Sequence, residues 1–99
     1  MEIKQSAIAG TLESSDIQVT IEPGTSGITL DITSSVFNQY GRQIKLVILE
    51  TLKRLDVAHA NVTVVDKGAL DCTIKARVAC AVYRGAGHEG AIPWGGNLC

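Results

Sequence analysis

The sequence predicts an α+β fold: an antiparallel sheet of about five strands, with one long helix packed across one face and a short C-terminal helix. Three observations carry this. Apolar residues alternate at period two in several short runs, the period lengthens to about 3.6 once, in the middle of the chain, and the apolar residues are almost all aliphatic. Phe37, Tyr40, Tyr83 and Trp94 are the only aromatics among 99 residues that are 45% hydrophobic. A chain of this length makes one domain able to bury roughly two thirds of its unfolded surface without disulfides or metal.

The first strand places Ile8, Gly10 and Leu12 on one face and Ala7, Ala9 and Thr11 on the other. In the second, Ile17, Val19 and Ile21 alternate with Asp16, Gln18 and Thr20. Glu13-Ser14-Ser15-Asp16 between them lacks the Gly or Asn of a two-residue primed turn, so a four-residue loop around a type I turn is expected. Glu22–Gly27 breaks the pattern, and Ile28, Leu30 and Ile32 form a third strand against Thr29, Asp31 and Thr33.

At Ser34-Ser35 the period changes. Val36, Phe37, Tyr40, Ile44, Val47, Ile48, Leu52 and Leu55 make the apolar stripe of the long helix, with Ser34 or Ser35 as its cap and Gly41 dividing a short lead from a longer body. Arg42, Lys45, Lys53 and Arg54 fall mostly off the stripe and read as a solvated face.

Val62, Val64 and Val65 form a fourth strand, ended by Asp66-Lys67-Gly68, where Gly68 can take the positive φ of a tight hairpin. Leu70, Cys72, Ile74, Ala76 and Val78 then alternate with Asp71, Thr73, Lys75 and Arg77 as a fifth strand paired with the fourth. Near Arg77 the pattern shifts to a short helix through Val78, Val82 and Tyr83. Residues 1–84 are thus the domain, and 85–99 a Gly-rich tail with one apolar anchor, Ile92-Pro93-Trp94.

Composition excludes several functions. Nine basic and ten acidic residues are interspersed, for a net charge of −1, so no long-range field draws the chain to nucleic acid or to an anionic membrane. No apolar run approaches a membrane span or a signal peptide, which makes the cytoplasm the expected location. Cys72, Cys80 and Cys99 form neither a C-x-x-C pair nor a metal-ligand set; the first two read as small core hydrophobes and Cys99 as a free thiol. Gly85-Ala86-Gly87-His88-Glu89-Gly90 satisfies G-x-G-x-x-G but follows a helix and opens none, so it cannot start a dinucleotide-binding βαβ unit. His59 and His88 have no thiol or second imidazole nearby in sequence and read as ordinary surface or packing residues rather than as ligands or bases.

No catalytic constellation remains. The chemistry-bearing candidates are the adjacent hydroxyls of Ser14 and Ser15 on the first loop, with neither a base nor an oxyanion pocket signalled beside them. Such a serine suits covalent modification better than catalysis, because an attachment residue need only be reachable by another enzyme.

Two blocks, Ala9-Gly10-Thr11-Leu12-Glu13-Ser14-Ser15-Asp16 and Asp66-Lys67-Gly68-Ala69-Leu70-Asp71-Cys72, resemble the acyl carrier (gamma) subunits of citrate lyase, and the likeness covers nearly the whole chain. Length, element order, the lead-in at Ser34-Ser35-Val36 and the late Pro93-Trp94 also look like that family, whereas Gly95-Gly96-Asn97-Leu98 departs from its acidic ending. The resemblance implies a non-catalytic carrier whose Ser14, with Ser15 as the neighbouring candidate, is joined by a phosphodiester to 2'-(5''-phosphoribosyl)-3'-dephospho-CoA. It further implies three partners: an alpha subunit that exchanges acetyl for citryl on the arm's thiol, a beta subunit that cleaves the citryl thioester to oxaloacetate, and the transferase that attaches the arm. Carriage of the same arm in citramalate lyase or malonate decarboxylase is the nearest rival, and a protein-interaction module the alternative from another class. A phosphopantetheine carrier fits less well, since its serine lies in Asp-Ser-Leu at a helix start.

Glu13 and Asp16, with no Lys or Arg between Gln5 and Arg42, are expected to repel a phosphodiester from the turn and to guide a basic surface of the attaching enzyme. The plain alternative is that they are solubilising turn residues. Asp66–Asp71 reads as a hairpin turn rather than a partner contact.

Overall fold

A computed structural model describes residues 2–34 and 37–87, with side chains of the helix after residue 34 described from Gly41 onward. The elements are β1 (Ala7–Gly10), β2 (Ile17–Pro23), β3 (Ile28–Ser34), α1 (Phe37–Arg54), β4 (Ala60–Asp66) and α2 (Asp71–Gly85). Ser35, Val36, His88 and the tail with Trp94 and Cys99 lie outside the described residues.

The α+β class holds, but the expected five-stranded antiparallel sheet is replaced by a four-stranded mixed one, ordered β1-β2-β4-β3. β2 pairs antiparallel with β1 and with β4, while β3 and β4 run parallel, Ile28 opposite Ala60 and Ser34 opposite Asp66. The parallel pair follows from the connection: α1 crosses over between β3 and β4 and returns the chain in the same direction.

The expected fifth strand and short terminal helix are one 15-residue helix, α2. Alternation at Leu70, Cys72, Ile74, Ala76 and Val78 is ambiguous, because Ile74, Val78, Ala81, Val82 and Gly85 also recur at helical spacing and are buried, whereas Leu70, Cys72 and Ala76 are not. Alanine-rich composition and Asp71 in the first turn favour the helix. Asp66–Leu70 is accordingly a strand-to-helix connection, not a hairpin.

No single long helix crosses the sheet; α1 (18 residues) and α2 (15 residues) share one face. α2 packs on β1 and β2, and α1 on β3 and α2. Gly41 does not divide α1, which runs unbroken through it with Gly41 itself buried. The loss of about 1 kcal/mol in helix propensity at a glycine is smaller than what the buried stripe of Ile44, Val47, Ile48 and Leu52 contributes.

Beneath the helices the sheet presents Ala9, Val19, Ile21, Val62 and Val64, all buried. In β1 the alanine face points inward, leaving Ile8 more than half exposed, as is Leu12 in the loop beyond the strand. Cys80 is buried as a small core residue, whereas Cys72 is only half-buried. His59 has a structural partner, its Nδ1 accepting the Gly27 amide at 2.8 Å. Gly85, the first glycine of the rejected nucleotide motif, closes α2 where an added Cβ would stand 3.1–3.3 Å from Ile21, Ile3 and the Gln5 carbonyl.

Candidate functional site

The β1–β2 connection is a folded loop held at its base. β1 ends at Gly10, whose φ of 91° only glycine adopts readily and where a Cβ would lie 1.8 Å from the Ile17 carbonyl oxygen. Thr11 Oγ1 donates to Asp16 Oδ2 at 2.6 Å and accepts the Glu13 amide at 3.2 Å. The Asp16 amide returns to the Glu13 carbonyl at 3.2 Å, and Ser15 sits at φ 63°.

A second segment braces the loop. The Ser15 amide donates to the Lys67 carbonyl at 2.8 Å, and the Lys67 amide to the Asp16 carbonyl at 2.9 Å. Asp66, 1% exposed, shapes that segment by accepting from Ser34 Oγ at 2.8 Å, the Gly68 amide at 3.2 Å and the Ala69 amide at 3.0 Å. Gly68 takes φ 87° at the bend. Ser34, expected as a helix cap, ends β3 and donates its hydroxyl to this aspartate.

Asp16 does not act as a free loop acid. Arg77 of α2 forks onto it, Nε to Oδ1 and Nη2 to Oδ2 at 3.1 Å each, and the Ile17 amide also donates to Oδ1. Burial works against the charge of Asp16. The Thr11 hydroxyl, the Arg77 guanidinium and the Ile17 amide outweigh it, lowering the pKa from 3.8 to about 2. The pair of repelling acids is therefore corrected to one: Glu13 projects into solvent, while Asp16 is neutralised by a cation 61 residues away.

Ser14 and Ser15 are both exposed on this braced loop. Sequence reasoning missed Arg77, because it stood on a presumed strand. The available signal was its seven-residue spacing from Arg84, which places the two on one side of a helix; Arg84 Nη1 reaches the Ile8 carbonyl at 2.7 Å. Both arginines tie α2 to the β1 side of the sheet.

Beside Lys67 opens a groove of about 440 Å³, lined by Gln43, Ile44, Asp66, Gly68, Ala69, Leu70, Asp71 and Ile74. Gln43 Nε2 donates to Asp71 Oδ2 at 3.0 Å across it. Among the described residues no helix is long and apolar enough to cross a membrane.

The fold is a two-layer α+β domain with exposed hydroxyls on a braced loop, and residues 4–85 match the ACP family described as malonate decarboxylase delta subunit (MdcD). Within that class the chain belongs to the citrate lyase acyl carrier protein family. It is 60% identical over 89 residues to the citrate lyase acyl carrier protein of Streptococcus uberis, an alignment covering 90% of this chain and 88% of that one. Identity to the Streptococcus mutans protein of the same name is 61% over 90 residues, 90% and 88% of the two chains. The Oenococcus oeni protein is 52% identical over 94 residues, 95% and 97% of the two chains. A chain of a Pseudomonas malonate decarboxylase hetero-tetramer solved with malonate superposes with a TM-score of 0.70 over 85% of this chain and 87% of that one. At 19% identity that likeness establishes a common fold. These relatives are named as carriers, so the chain is a carrier subunit rather than a catalytic one.

Proposed function

We propose that this chain is the acyl carrier subunit of a citrate lyase complex and that Ser14 Oγ is esterified to 2'-(5''-phosphoribosyl)-3'-dephospho-CoA. The observation that carries the reading is the exposed Ser14 on a loop braced at Ser15 and Asp16, in a chain 52–61% identical to named citrate lyase carriers. The residues present fit such a group. Ser14 supplies a hydroxyl for the ester, and its neighbour Asp16 has its charge matched by Arg77 rather than bare beside the phosphate.

When attached, the group supplies a terminal thiol that holds an acyl unit as a thioester. The chain contributes position and reach. The Ser15–Lys67 and Asp16–Arg77 contacts hold the backbone so that a load on Ser14 leaves the core undisturbed. Tethering keeps the thioester at high effective concentration for partner active sites. Those partners are an alpha subunit acting as acyl transferase, a beta subunit acting as citryl lyase, and the transferase that loads the arm, all in the cytoplasm.

Intact mass from a host expressing the attaching enzymes tests this. The wild-type chain gains one arm, Ser15→Ala gains it too, and Ser14→Ala stays at its unmodified mass. A wild-type chain without adduct overturns the carrier reading, and an adduct lost only in Ser15→Ala moves the site by one residue.

A further inference from the structure

We propose that the groove between α1 and the Asp66–Asp71 segment is a seat for the adenine ring of the attached arm, a site that rests on the carrier reading above. Position argues for it first. The segment lining the groove is the one that braces the serine loop, since Lys67 exchanges backbone hydrogen bonds with Ser15 and Asp16 while its neighbour Gly68 lines the groove. In the arm, one ribose separates the phosphodiester from the adenosine, so adenine is the base nearest to Ser14.

The lining has the chemistry of a heterocycle site. Ile44, Ala69, Leu70 and Ile74 give apolar walls, and about 440 Å³ lies in the range of small-ligand pockets. Leu70, 70% exposed, is the most exposed large apolar side chain among the described residues and stands at the rim. The Asp66 carboxylate at the floor is occupied by Ser34, Gly68 and Ala69, so it does not set an open charge against the ring. At the mouth, Gln43 and Asp71 supply an amide and a carboxylate, both exposed. An adenine presents the matching edge, an amino group to donate to the Asp71 oxygen that Gln43 leaves open and a ring nitrogen to accept the second N–H of Gln43 Nε2. Seating the base would hold the near end of the arm against the protein and leave the thiol end free to reach partners.

The test is nuclear magnetic resonance on the full chain in apo form and loaded in the cell, after intact mass has established the adduct. Expected are cross-relaxation between adenine H2 or H8 and the methyls of Ile44, Leu70 or Ile74, and amide shifts at Gly68–Asp71 on loading. Leu70→Glu, at an exposed position, should load fully, keep the apo spectrum elsewhere, and lose these contacts. Adenine signals at the positions of free dephospho-CoA, with shifts confined to residues 13–16, overturn the seat while leaving the carrier reading intact. A chain that never acquires the arm overturns both.

Discussion

Arg77 and Asp16, 61 residues apart, form a forked ion pair that fastens the second helix to the loop carrying Ser14. The Asp16 side chain is 13% exposed and that of Arg77 40%, so the pair is partly shielded from water. Arg77→Met should lower unfolding free energy by about 1 kcal/mol, since half-exposed pairs are worth little more. Its larger effect should be local: amide hydrogen exchange at Ser15 and Lys67 accelerates beyond the change in global stability, measured against urea unfolding.

The low pKa of Asp16 gives the loop a pH signature. Its carboxyl titrates near 3.8 when free and at about 2 in the fold, so its stabilisation is complete above pH 4 and disappears as pH falls towards 2. The contribution is on the order of 1–2 kcal/mol after allowing for solvent at Arg77. Urea midpoints between pH 5 and pH 2 should fall more steeply for the wild type than for Asp16→Asn.

Gly10→Ala is expected to be among the most damaging single-methyl additions. The new Cβ would meet the Ile17 carbonyl at 1.8 Å with the backbone at φ 91°, so the loop base must move. A loss of about 2–4 kcal/mol in thermal or urea unfolding follows from steric overlap and φ strain together.

Asp66→Ala removes the acceptor for a hydroxyl and two amides at a site 1% exposed. A loss of about 3 kcal/mol is expected, because the donors left behind are partly shielded from water, with Asp66→Asn recovering part of it. Differential scanning calorimetry separates the three proteins.

Ser14→Ala should change unfolding free energy by no more than about 0.5 kcal/mol, since Ser14 is exposed. Abolition of the mass adduct with unchanged stability assigns to Ser14 a role in attachment rather than folding.

By itself the sequence determined what local chemistry and period determine. β1 to β4 and α1 follow from runs whose period is unmistakable, such as Ile17, Val19 and Ile21, all fully buried. The exposed serines follow from a polar connection between two such runs, and the family from blocks of residue identity. Tertiary structure decided what depends on distant partners. Residues Leu70–Val78 satisfied two periods at once, and only packing of Ile74, Val78 and Val82 against the sheet selects the helix. The parallel pairing of β3 with β4 depends on which edge the chain returns to after α1, which alternation within a strand does not encode. Asp16 looked like a free acid because no cation lies near it in sequence. Its charge is set by Arg77, which reaches it only once Asp71–Gly85 has coiled into a helix and lain across β1 and β2.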